Sequence, residues 1–167
     1  MHPAVRSALT LAGLCLLLLV AATWGWSALT APLPSDEAAP LCVDTPVPAG
    51  TKVFRDQVVV SVFNGSRRSG LAGSTMEQLE GRGFVGADTG NAPSQVAGAA
   101  QIWAADPANP AVKLVKRQFQ GAKVVPGDAL GLGVVVVVGE GFTGLGKDVE
   151  SVKARADASF CSPPGAG

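Results

Sequence analysis

The chain has 167 residues, room for no more than one modest domain beside a terminal segment. Its 13 Lys and Arg balance 13 Asp and Glu, which argues against a nucleic-acid binder, since such domains carry a basic surplus. One His, at position 2, and no Tyr remove most familiar acid–base and metal chemistry, and 47% hydrophobic content excludes global disorder.

No charge interrupts the chain between Arg6 and Asp36, and Ser7 to Leu29 is almost entirely apolar. About 20 such residues span a bilayer core. Trp24 and Trp26 lie at the far end of the segment, where indoles favour the interface. Arg6 puts positive charge on the N-terminal side, so residues 1–6 are expected in the cytoplasm, 7–29 as a transmembrane signal-anchor and the remainder outside the cell. The competing reading is a cleaved signal peptide, but a good A-x-A cleavage site is lacking, Gly25-Trp26-Ser27 being a poor match, and Leu14-Cys15 is not a lipobox.

Cys15 sits inside the apolar segment, whereas Cys42 and Cys161 bracket the rest of the chain. In an oxidising compartment that pair reads as a disulfide; two unpaired thiols are the alternative. Prolines 32, 34, 40, 46 and 48 mark residues 30–50 as an extended, Pro-rich linker.

A folded domain is expected over 51–161, with a flexible tail at 162–167. Val58 to Phe63 is an apolar run of strand length ending at Asn64-Gly65-Ser66, a turn signal that also matches a glycosylation sequon. Ser69 to Arg82 reads as a helix with Ser69 as N-cap, Leu71, Thr75, Met76 and Leu79 on one face, and Gly81 and Gly83 at its end. Phe84 to Thr89 and Val96 to Trp103 follow as strands. Asn109 as N-cap and Pro110 at the first helical position open a second helix, with Val112, Val115 and Phe119 inward and Lys113, Lys116 and Arg117 toward solvent. Lys123 to Val125 is a short strand, and the five valines between Gly133 and Gly139 mark a strand buried on both faces. The order predicts an α/β (α+β) two-layer sandwich, β-α-β-β-α-β-like, with both helices on one face of a single sheet.

Candidate chemistry is sparse. Gly65 to Gly70, between strand and helix, carries Arg67 and Arg68, and such a loop can cradle an anion. It lacks the G-K-[ST] of a nucleotide loop, and a tight turn with solvated arginines is the plainer reading. Trp103, next to Ile102, is either core or a stacking platform for sugar. Asp88, Asp106, Asp128, Glu140 and Asp148 are scattered, which suits surface acids better than a catalytic pair. The cationic stripe Lys113, Lys116 and Arg117 reads as ordinary solubility.

The run Val60 to Ser66, then Ser69-Gly70-Leu71-Ala72-Gly73, Leu79 and Arg82-Gly83-Phe84, resembles the LytR C-terminal domain family. Gly90-Asn91, Ile102-Trp103 and Val135 to Gly139 with Phe142 extend the resemblance over about 58–142. Ala104-Ala105-Asp106-Pro107 departs from it, where members often carry a Gly-Pro-Gly turn. The resemblance gives Gly65, Gly70, Leu71, Ala72, Gly83 and Phe84 structural places in the family motif. It also implies the small, membrane-anchored actinobacterial proteins associated with envelope integrity, without the catalytic domain of LytR-CpsA-Psr enzymes. No catalytic residue, metal or cofactor carries over.

The expected function is therefore a non-catalytic, single-pass membrane module supporting cell-envelope integrity. It would bind or scaffold peptidoglycan, an anionic wall glycopolymer or an envelope enzyme, with Asn64, Arg67, Arg68 and Trp103 as candidate ligand contacts. A protein–protein subunit without glycan binding and a small carboxylate-dependent wall enzyme are the alternatives.

Overall fold

The computed structural model describes residues 3–30, 41–127 and 129–165, with side chains in the first stretch given for 11–26. Part of the expected linker (31–40), Met1 and His2, Asp128, Ala166 and Gly167 lie outside these residues. The chain divides into two compact units, Met1–Ala39 and Pro40–Gly167.

The first unit holds α1 (Pro3–Thr30), whose described side chains are all exposed, from Leu11 to Trp26. Among the described residues no helix is long and apolar enough to cross a membrane.

The second unit contains β1 (Val43–Val47), β2 (Lys52–Phe54), β3 (Val59–Asn64), α2 (Leu71–Glu80), β4 (Val85–Asn91), β5 (Ala100–Trp103), α3 (Pro110–Gln118), β6 (Lys123–Val125), β7 (Val134–Val138), β8 (Ser151–Lys153) and β9 (Ala158–Ser162). Five strands form one mixed sheet in the order β4-β3-β7-β5-β6. The units β3-α2-β4 and β5-α3-β6 each join parallel neighbours, and β7 lies between them, parallel to β3 and antiparallel to β5.

This placement explains the five valines. A strand with neighbours on both edges and layers on both faces has no solvent side, and all five are buried. Val134, Val136 and Val138 join Val58, Val60, Val62 and Ile102 under the inward residues of both helices, so α2 and α3 share one face as expected. Phe63, Val96, Val135 and Val137 form a smaller cluster on the other face, with Trp103 and Leu130 packed against it. Gly133 admits β7 to the sheet: φ is 70°, and a Cβ there would stand 2.1 Å from the Val59 carbonyl oxygen.

Four readings need correction. α2 begins at Leu71, not Ser69, and its N-cap is Gly70, left-handed at φ 74°, with no side-chain cap. At the helix end the left-handed glycine is Gly83 (φ 94°); Gly81 stays right-handed. The linker expected over 30–50 contains β1, which pairs antiparallel with β9; prolines exclude helix but allow extended chain, and one of them, Pro46, sits in this two-stranded ribbon. Finally, β2 pairs with β8 in a second ribbon, and the expected tail begins with Ser162, which is buried in β9. The single sheet is thus accompanied by two ribbons built from the ends of the unit. Cys42 and Cys161, adjoining and within the β1–β9 ribbon, are joined by a disulfide across a sequence separation of 119.

Candidate functional site

The turn after β3 is assembled by Asn64. Its Oδ1 accepts from the Ser66 amide (2.9 Å) and Ser66 hydroxyl (2.8 Å), and its Nδ2 donates to the Arg68 carbonyl at 2.7 Å. An Asn at a strand end offers this local alternative to ladder bonding. Gly65 follows because a Cβ there would lie 2.8 Å from Val137 Cγ1. Its amide donates to the Val138 carbonyl at 2.8 Å, and its carbonyl accepts from the Val96 amide at 2.7 Å.

Both arginines of the loop are engaged. Arg67 donates to Glu140 Oε1 through its amide (2.9 Å) and its Nε (3.1 Å). These bonds, the backbone one foremost, hold the Glu140 carboxyl below the usual carboxylate range. Arg68 donates to the Phe142 carbonyl at 2.6 Å. The loop therefore fastens the start of α2 to the chain leaving β7, while the Arg67 side chain stays largely exposed. Gly70 and Ala72 border, with Asn64, a small cleft of about 210 Å3. Leu71 and Ala72, the first residues of α2, are buried, and Phe84 is buried between Gly83 and β4.

Trp103 does not join this loop. It pairs in register with Val135, whereas Asn64 pairs with Val138, three residues and roughly 10 Å along the strand direction. It is half-buried on the smaller cluster, its Nε1 donates to Gln101 Oε1 at 3.1 Å, and Gly127 lies against its ring. Trp103 is therefore packed as secondary core.

The scattered carboxylates have local duties as well. Asp88 Oδ2 accepts from the Leu132 amide, Asp106 Oδ1 from the Ala108 amide, and Asp148 pairs with Arg55. Among the described residues no group of three or more His, Cys, Asp or Glu converges on a metal-sized site.

A different feature emerges on the helix side. Lys113, Lys116 and Arg117 of α3, with Lys153 and Arg155 at and after β8, line one open groove of about 820 Å3, floored by Gly50, Val152 and Ala154. Backbone bonds strap its far wall in place: Gly50 amide to Ala154 carbonyl (2.9 Å) and Ala154 amide to Thr51 carbonyl (2.8 Å). None of the described lining residues is acidic. Helical spacing puts Lys113, Lys116 and Arg117 on one stripe, which by itself reads as ordinary solubility; the other wall comes from strands with no clear pattern in the sequence.

Residues 57–142, just over half of the chain, match the family described as LytR cell envelope-related transcriptional attenuator. The chain belongs to that family and is a cell-envelope-related module of the LytR C-terminal type. A similar solved structure is the soluble domain of a conserved hypothetical secreted protein from Mycobacterium marinum, an Rv2700 ortholog. It shares 24% identity at a TM-score of 0.47, covering 60% of this chain and 68% of that one. No curated protein matches the chain.

Proposed function

We propose that this protein is a non-catalytic, membrane-anchored module that supports the cell envelope from outside the cytoplasm, holding a wall component or an envelope enzyme near the membrane. The Cys42–Cys161 disulfide carries the reading. It joins the strands that flank the family domain on either side, and such a bond persists in an exported protein and not in a reducing cytosol. The uncharged run from Ser7 to Leu29 supplies an export signal and, uncleaved, an anchor.

Deletion of the protein in its host is expected to sensitise cells to detergent and lysozyme. The full chain restores resistance, and a chain starting at residue 41, retained in the cytoplasm, does not. Fractionation tests the anchor separately: the protein stays with membranes after alkaline wash. Release of a shortened chain would establish cleavage instead, and rescue by the cytoplasmic version would overturn the extracytoplasmic reading.

A further inference from the structure

The groove between α3 and the β8 side of the molecule deepens the envelope reading, on which it rests, by naming a ligand class. Five of the chain's 13 cationic side chains line it, in a protein of zero net charge. Among the described residues none of the five forms an ion pair. Lys116 and Arg117 lie in the last turn of α3, where cations complement the helix dipole. That explanation does not reach Lys153 and Arg155, which belong to a different element. Like charges gathered on one cleft repel one another, and a bound anion relieves the repulsion.

The shape narrows the anion. A second groove of about 510 Å3 shares Arg117 and adds Lys147, Phe119, Gln120 and Val149. Two grooves meeting at one arginine make a track longer than a single phosphate needs. Its cations recur along its length, from Lys153 and Arg155 through the shared Arg117 to Lys147, which suits a chain with charges on successive units. The exposed large apolar side chains of this unit, Leu41, Val43, Phe54 and Leu132, line neither groove, so the track has no apolar rim to enter a bilayer. The β8 wall lies outside residues 57–142, so the groove combines the family domain with this chain's own flanking strands. We propose that this track binds a linear anionic polysaccharide of the envelope, a sugar chain bearing phosphate or carboxylate groups on successive units.

The test is cosedimentation of the full chain, in detergent micelles, with purified sacculi that carry their anionic polymers, with sacculi stripped of them, and with phosphatidylglycerol vesicles. Binding to unstripped sacculi is expected to weaken with added salt and to fall about tenfold or more in the quadruple variant Lys116→Gln, Arg117→Gln, Lys153→Gln, Arg155→Gln. All four side chains are exposed, and an unlowered melting temperature shows that lost binding is not lost folding. Lys52→Gln with Lys123→Gln, exposed and outside both grooves, is expected to leave binding unchanged. Undiminished binding by the quadruple variant overturns the proposal, as does a loss confined to an Arg67→Gln, Arg68→Gln variant. Preference for vesicles over sacculi overturns it in favour of lipid headgroups. A full chain that rescues the deletion yet binds no polymer overturns the groove assignment alone, whereas binding without rescue leaves the groove standing and removes the envelope role.

Discussion

At the scale of residues, the loop after β3 shows how a motif suggestive of binding serves construction. Asn64, Ser66, Arg67 and Arg68 bond one another, Glu140 and the Phe142 carbonyl. Asn64→Ala removes three of these bonds and is expected to cost about 1–3 kcal/mol by denaturant unfolding. Gly65→Ala drives a methyl group against Val137 and Val96 and is expected to cost about 1–3 kcal/mol. Glu140 adds a pH signature. Its carboxyl titrates below the usual range in the folded protein, so its contribution is present above the ordinary carboxylate pKa and is lost as pH falls through the lowered value. Glu140→Gln should therefore melt lower than the parent near neutrality and converge with it in acid. A gap that persists in acid would mean that the charge of Glu140 is not what matters. That Arg67 meets Glu140 was not legible beforehand, because 73 residues separate them and either could have faced water.

At the scale of elements, legibility followed the strength of the local signal. The valines of β7 have one reasonable home, a strand covered on every side, and that is where they lie. Asn109-Pro110 also opened α3 as expected, with Asn109 Oδ1 accepting from the Ala111 amide at 3.0 Å. The same side chain donates to the Ser159 carbonyl, so it joins helix to β9 as well as capping the helix. Asn109→Ala is expected to cost about 1–2 kcal/mol, more than an ordinary cap of similar exposure, and hydrogen exchange should rise in β9 as well as in the first turn of α3. The strands that went unread are short and weakly patterned: β2 and β8 have three residues each, and β1 contains a proline. Their stability comes from partners about 100 residues away, which no local window contains. The cationic groove was not legible for the same reason: only its α3 wall is periodic, and that stripe alone reads as solubility.

At the scale of the whole molecule, charge and covalent closure set the behaviour. Gathering cations on one face sacrifices some stability, so the quadruple groove variant should melt a few degrees higher than the parent at low salt, with the gap shrinking as salt is added. Buried polar groups are handled differently. Gln118 is fully buried, accepts from Arg82 at 2.7 Å and donates to the Val149 carbonyl at 2.8 Å, so α3, the chain after α2 and the chain before β8 meet at one side chain. Reduction of Cys42–Cys161 should cost about 2–5 kcal/mol, the range for releasing a long loop, and should lower the midpoint of denaturation measurably.

The same bond decides how the molecule carries load. Tension arriving from residue 41 and leaving through residue 163 passes from one sulfur to the other and never enters the sheet, because the disulfide shunts the intervening chain, a sequence separation of 119. Pulled by those two ends, the oxidised protein behaves as a short inextensible link. The reduced protein would unzip the β1–β9 ribbon and then pay out roughly 400 Å of chain. Tension applied to a ligand seated against α3 has no such bypass and must travel through the hydrogen bonds of the fold. A tether of this design stays taut along its own axis, and the stiffness of its grip is set by how well α3 is held.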